Sequence, residues 1–220
     1  MLKPRFTCSR GRVYRLMKKA GIRSLRKAGF KVTTNSRHML PVAPNLLQRN
    51  FHADKPNAVW VSDITYIRTG EGWLYLAIIK DLCTCKVVGY AWSTRINTDL
   101  VLEAFYMALR RQKPAPGLTF HSDRGIQYAS IRFRQALLHA GCLQSMSRKG
   151  DPYDNAVAEN FFSCLKCEAL HLAYFQTHDQ AISAVFAYIE TFYNTVRPHS
   201  KIGWLAPAVF EKSLFSRIPA

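Results

Sequence analysis

The sequence predicts a mixed α/β domain preceded by a basic arm, and three observations carry that reading. From residue 59 to about 147, runs rich in β-branched and aromatic residues alternate with stretches of helical apolar periodicity. Helical patterns alone then follow, as in a sheet flanked by helices. Charge divides the chain as well: residues 1–50 carry thirteen Lys or Arg and no acid, whereas all fourteen acids lie in residues 51–220. The formal charge of +17 is thus +13 in the first fifty residues, which leaves +4 for the rest. Such a balance favours a polyanionic partner. At 220 residues the chain holds one sizeable domain and an appendage, and its ordinary apolar content predicts a packed core. A basic, unstructured leader is the plainer reading of residues 1–50.

Within the arm, residues 10–22 read as one helix closed by Gly21, with Val13, Leu16 and Met17 as an apolar stripe beside Arg12, Lys18 and Lys19. Residues 23–50 read as a polar, basic linker with Pro41 and Pro44, and order is expected from near Ala58. Val59 to Ile67 reads as a strand, and Gly70 and Gly72 mark a turn. Trp73 to Leu82 and Lys86 to Ser93 complete an antiparallel meander. Asn97 or Thr98 caps a helix reaching Gln112, with Leu100, Val101, Ala104, Phe105, Ala108 and Leu109 inward. A short strand from Leu118 ends at Asp123. A helix over Ser130–His139 and a short strand over Gln144–Ser147 come next. Residues 148–153 read as a polar loop, Asp154 to about Leu170 as a helix, and Asp179 to Asn194 as a last long helix.

No apolar h-region opens the chain and no run of eighteen apolar residues occurs, so no membrane span is expected. The six cysteines are accordingly expected to be reduced thiols in a cytoplasmic protein. Cys164, Cys167 and His171 could share one helical face, but no second Cys or His pair completes structural zinc spacing. Buried thiols are the better reading.

Three acids stand out. Asp63 interrupts an otherwise apolar strand, where a carboxylate needs a partner. Asp123 ends the fourth strand, where open α/β sheets place their sites, and Glu159 lies one turn into a helix that can reach back over those strand ends. Hard divalent cations take oxygen ligands, and phosphoryl transfer through two such ions needs several converging carboxylates. Taken singly, Asp123 is also a turn or cap residue, Glu159 a solvated helix acid, and Asp63 a satisfied buried carboxylate. Their co-occurrence carries the argument.

The motifs Trp-Val-Ser-Asp63-Ile-Thr-Tyr, His-Ser-Asp123-Arg-Gly and Asp-Asn-Ala-Val-Ala-Glu159-Asn-Phe-Phe resemble the integrase core of retroviral integrases. They resemble more closely still the OrfB transposases of bacterial insertion sequences. Thirty-five residues separate Asp123 from Glu159, the D-D-(35)-E spacing of that family. Lys166 stands seven after Glu159, where the family carries a basic residue, and Tyr193-Asn194-x-x-Arg197-Pro198-His199-Ser200 is similar to its carboxy-terminal signature. The resemblance covers residues 10 to about 212. It implies a ribonuclease H-like mixed five-stranded sheet with flanking helices behind the basic arm, in which strand four lies alongside strand one. It also implies a division into an arm (1–50), a catalytic core (51–212) and a tail (213–220).

By that resemblance Asp63, Asp123 and Glu159 are the catalytic and metal-binding residues, holding two Mg²⁺ or Mn²⁺ ions. The activity implied is cleavage at element ends followed by strand transfer, with no covalent protein–DNA intermediate. Lys166, Arg148, Lys149 and Asn155 near the site, and Arg12, Lys18 and Lys19 on the arm, are expected DNA contacts. Arg124 is read as a possible partner of Asp123. His121 is read either as tuning the site or as a buried, hydrogen-bonded residue. The amino-terminal part is short for an OrfB protein, so a shortened copy is expected. Terminal-repeat DNA, target DNA, an OrfA-type helix-turn-helix protein or an OrfA–OrfB fusion, and a homo-oligomer on DNA are the implied partners, in a bacterial cytoplasm. A ribonuclease H-like nuclease without strand transfer and an inactive DNA-binding remnant are the competing readings.

Overall fold

In the computed structural model, residues 8–23, 40–148, 152–170 and 173–216 are described. The chain divides into two compact units, Met1–Lys31 and Val32–Ala220. In the first, α1 (Arg10–Lys19) starts at Ser9, whose side chain accepts from the Arg12 N–H, and has Lys18 and Lys19 in its last turn. Gly21 leaves the helix at φ +67°, the left-handed conformation that its position in the sequence predicts. Val13, Tyr14 and Leu16 are exposed, and no residue of α1 is buried.

The second unit is built on a five-stranded sheet of order β3-β2-β1-β4-β5. Strands β1 (Val59–Thr69), β2 (Gly72–Asp81) and β3 (Val87–Ser93) form the expected meander. Strands β4 (Thr119–Ser122) and β5 (Leu143–Met146) add to it in parallel. Parallel neighbours require crossovers. The first is α2 (Thr98–Gln112), capped by the Asn97 side chain on the Leu100 N–H. The second contains α3 (Ile126–Ala129) and α4 (Ile131–His139). The α3 turn is absent from the sequence reading, because four residues are too few to display a helical period.

Period-two alternation along β1 sends Trp60 to one face and Val61 to the other. On the first face, α2, α3 and α4 bury Phe105, Tyr128 and Phe133 around Phe120. Gly89 of β3 lets this layer close, since a Cβ there would strike the Ala104 carbonyl on α2. On the second face lie α5 (Ala156–Leu165) and α6 (His178–Ala187), with Phe161 set edge-on to Tyr193 at 4.8 Å. Both helices end in π-helical turns, Lys166–Leu170 and Tyr188–Tyr193, where single uninterrupted helices are the sequence expectation.

Order begins earlier than Ala58. Leu40 and Ala43 pack on the first core, Leu47 is buried in the second, and the Leu46 N–H donates to Ser145 Oγ at 2.9 Å. This stretch has apolar residues without periodicity, which is why it reads as linker. The carboxy-terminal signature closes the opposite edge of the sheet. The Asn194 amide donates to the Val87 carbonyl at 3.0 Å and accepts from the Val87 N–H at 2.9 Å. Lys201 Nζ donates to the carbonyls of Phe51 and Leu82, and Lys86 pairs with Glu211 on α7 (Pro207–Phe215). No described helix is long and apolar enough to cross a membrane.

Candidate active site

Register brings the first two acids together. Val61 of β1 pairs with His121 of β4 in parallel, and Asp63 and Asp123 each stand two residues further along. They therefore lie side by side on one face at the end of β4. Glu159 is in the first turn of α5, which packs on β1. All three acids are half-buried. Burial raises the proton affinity of Asp63 well above the ordinary carboxylate range, and the charges of Asp123 and Glu159 push it further in the same direction. The Ile64 N–H, which donates to Asp63 Oδ1 at 2.8 Å, and the Lys166 ammonium act the other way. Glu159 is raised as well, by burial.

Local contacts hold the two aspartates in place. Asp123 Oδ1 accepts from the Gly125 N–H at 2.9 Å, and a Cβ on Gly125 would collide with the Gln127 side chain. Beneath them the Tyr128 hydroxyl meets Ser62 Oγ at 2.8 Å. Burial and the neighbouring Asp123 and Asp63 charges push the Tyr128 phenol well above its usual range, so it stays neutral. Tyr128 and Ser62 escaped the sequence reading. Each is an ordinary core residue by pattern, and only the fold puts them under the acids.

Asp154 is a further residue that sequence reasoning missed. It is buried, and it accepts from the Arg148 N–H (2.8 Å), Nε (3.0 Å) and an Arg148 terminal guanidinium nitrogen (3.0 Å). Arg49 Nε (3.2 Å) and Asn45 Nδ2 (2.9 Å) complete the set. These donors, with Arg148 the largest influence, hold its carboxyl far below the ordinary range. Its carbonyl is bound in turn by His121 Nε2 at 2.9 Å, while His121 Nδ1 meets Ser145 Oγ at 2.8 Å. His121 is thus buried and hydrogen-bonded, and burial lowers its proton affinity. Asp154 lies in the short 3₁₀ turn, Pro152–Asn155, that leads into α5, so this network fixes where the Glu159 helix starts.

The expected DNA contacts fall into different settings. Lys166 is half-buried, feels the charge of Asp63, and holds its ammonium 5.0 Å above the Tyr66 ring. Arg148 engages Asp154 as described, and Arg124 Nε donates to the Ser147 carbonyl at 2.6 Å. Asn155 is buried, not part of an exposed stripe: its Nδ2 donates to the Ser62 carbonyl at 3.3 Å and its Oδ1 has no hydrogen-bond partner among the described residues. Arg12, Lys18 and Lys19 are exposed on α1. Lys149 and His171 lie outside the described residues. The six cysteines are free thiols.

Among the described residues, no three His, Cys, Asp or Glu side chains stand close enough to form a finished metal site. The donor set still fits hard divalent cations: all three side chains are carboxylates, from β1, the end of β4 and α5, and Asp63 feels the charge of both of the others.

Two integrase core domain families match the chain, over residues 53–152 and 140–207. It is 49% identical over 203 residues to the insertion element IS600 uncharacterized 31 kDa protein of Shigella sonnei, covering 92% of this chain and 75% of that protein. It is 46% identical over 169 residues to the transposase for insertion sequence element IS904 of Lactococcus lactis, with coverages of 77% and 67%. It is 42% identical over 195 residues to transposase InsF for insertion sequence IS3A of Escherichia coli, with coverages of 89% and 68%. Among solved structures, a chain of the simian T-cell lymphotropic virus intasome in complex with PP2A regulatory subunit B56 gamma aligns with TM-score 0.65 at 17% identity over 85% of this chain. The alignment spans 63% of that chain. The catalytic core of the HTLV-2 integrase in complex with magnesium aligns with TM-score 0.54 at 15% identity, over 73% of this chain and 99% of that one. Such likenesses describe the fold, which is ribonuclease H-like.

Proposed function

The chain belongs to the insertion-sequence transposases that carry an integrase core domain, and from that premise we propose that Asp63, Asp123 and Glu159 are its catalytic residues. Its function is DNA transposition by a DDE transposase. Two Mg²⁺ or Mn²⁺ ions would be held by the three carboxylates, supplying charge neutralisation at the scissile phosphate and a lowered proton affinity for the attacking oxygen. Asp63 and Asp123, side by side at the strand ends, would bind and orient from below, and Glu159 would close the site from α5. Cleavage at an element end and joining to target DNA differ only in the attacking hydroxyl, water in the first and a DNA 3′-hydroxyl in the second, so one site serves both.

The observation that carries this reading is the convergence of the acids: the β1–β4 register sets Asp63 beside Asp123, with Glu159 in the first turn of α5, and Asp63, whose proton affinity is raised first by burial, has it raised further by the charges of Asp123 and Glu159. Lys166 would position a phosphate beside them, and Arg12, Lys18 and Lys19 would add sequence-independent backbone contacts. Arg148 would shape the loop before α5 through Asp154, and the buried Asn155 would tie α5 to β1. An OrfA-type helix-turn-helix protein, or fusion to it, and a second copy of the chain on DNA are the partners that the family resemblance implies. The test is a joining assay on the DNA ends of the chain's own locus. Asp63→Asn, Asp123→Asn and Glu159→Gln should each remove both cleavage and joining while the melting profile stays cooperative. Joining by Asp63→Asn at near the unmodified rate would overturn the assignment.

A further inference from the structure

Strand β4 pairs with β1 only at Val59, Trp60 and Val61, so beyond Asp63 one border of β1 is left open until Thr69 bridges to Phe175. Beside this border the hairpin of β1 and β2 carries side chains of a distinct kind. Lys166, which feels the Asp63 charge, sets its ammonium 5.0 Å over the Tyr66 ring. Tyr66 meets Trp73 edge-on at 5.0 Å, and Trp73 stands across the ladder from Arg68. Arg68 and Trp73, with Thr69, Gly70 and Gly72, line a cleft of about 400 Å³ at the hairpin tip. The acid at that tip, Glu71, is engaged by the His178 N–H at 2.6 Å.

An aromatic pair steadies a hairpin without exposing its ring faces. Here Trp73 is 47% exposed beside an exposed arginine, whereas Trp60 of β1 is wholly buried. A cation over a ring, an open indole and a second cation in sequence are what a nucleic-acid strand needs: charge for phosphates and a flat face for a base. The chain's +17 charge supplies the complementary field.

We propose that this strip is a nucleotide platform: the DNA strand leaving the scissile phosphate runs past Lys166 and Tyr66, stacks one unpaired base on Trp73 and sets a phosphate against Arg68. The inference rests on the reading of Asp63, Asp123 and Glu159 as the cutting site, which supplies its starting point. Arg68 stands five positions beyond Asp63 on β1, about 17 Å of strand at about 3.3 Å per residue, and because alternation turns the two side chains to opposite faces, the DNA strand rounds the border of β1 at Lys166 to pass from one to the other. A stacked DNA strand advances about 3.4 Å per phosphate, so the base in question lies about five nucleotides from the cut, fewer if the strand is stretched.

The experiment places 2-aminopurine singly at positions one to eight from the scissile phosphate in duplexes carrying the element ends, and reads its fluorescence on binding the full chain in Ca²⁺. The unmodified chain and Trp73→Phe should quench the probe in a window of about three to five nucleotides. Trp73→Ala, and Trp73→Leu, which keeps an apolar cover on Tyr66, should lose that quench and bind about tenfold more weakly. Arg68→Ala should lower the slope of log affinity against log salt by about 0.9. A quench profile unchanged in Trp73→Leu, or no quenched position in the unmodified chain, would overturn the platform. Asp63→Asn separates the two readings: it should keep the quench and lose cleavage, and cleavage by it would sink the site assignment while leaving the platform result standing.

Discussion

Asp154 accepts hydrogen bonds from Arg148, Arg49 and Asn45 and holds its charge tightly, whereas Asp63 faces Asp123 and Glu159 and holds its charge poorly. Both sit at the mouth of the same α/β layer. One acid has been given its donors by the fold and acts as structure. The other has been buried beside more acids, an arrangement that costs stability until cations arrive. The difference separates, on physical grounds, a scaffold carboxylate from the one proposed to work.

The largest effect should come from breaking the working side. Asp63→Asn should lower the rate of joining at saturating DNA by about 10³-fold, since a metal pair supplies several kcal/mol to such a transition state at about 1.4 kcal/mol per tenfold. Loading the same side should raise stability: at a hundred times its dissociation constant, Mg²⁺ should protect the unmodified protein by about 2.7 kcal/mol in urea melts. Asp63→Asn should show little of this protection, and equal protection of the two proteins would remove Asp63 from the ion-binding set.

On the scaffold side, Asp154→Ala should destabilise by about 2–3 kcal/mol, the scale of hydrogen bonds to a charged group. Deleting residues 1–31 should spare stability, while deleting 1–50 should not, because only the longer cut removes Asn45 and Arg49. The pH dependences of the two acids should have opposite signs. Asp154 is held below the ordinary range, so its contribution is present at neutral pH and is lost as pH falls below about 4. Asp63 is held above it, so its contribution is present at low pH and is lost as pH rises through its folded value. Without metal, Asp63→Asn should therefore be more stable than the parent at pH 7, and should lose that advantage in acid. A parent more stable than the variant at pH 7 would contradict the repulsion.

Much of this was legible beforehand because it is local. Alternation from Val59, the Asn97 cap and the apolar face of α2 each declare themselves within a few residues, and the spacing of the three acids marks the site. What stayed hidden depends on distance or brevity. The donors Asn45 and Arg49 lie 109 and 105 residues from Asp154, so no window of sequence joins them. The four-residue α3 is shorter than the pattern that would reveal it, and with it went Tyr128. Asn155 falls on the helical stripe of Glu159 and Lys166, yet the 3₁₀ turn before α5 draws it inward against Ser62. The π-helical turn at Lys166 likewise has no signature in the spacing of apolar residues.

The clamp of Asn194 on Val87 also has a consequence in time. Its two partners are 107 residues apart, and Lys201 reaches back 150 residues to Phe51. Contacts so distant in sequence form late, since loop closure precedes any gain from them. On a ribosome adding about 5–20 residues per second, the edge strand β3 must wait on the order of ten seconds for its fastener to be made, and longer for it to clear the exit tunnel. The strand is therefore a nascent-chain liability, exposed to pairing with neighbours on the same message, and chaperone demand during synthesis should track the interval between Val87 and Asn194 rather than the length of the chain.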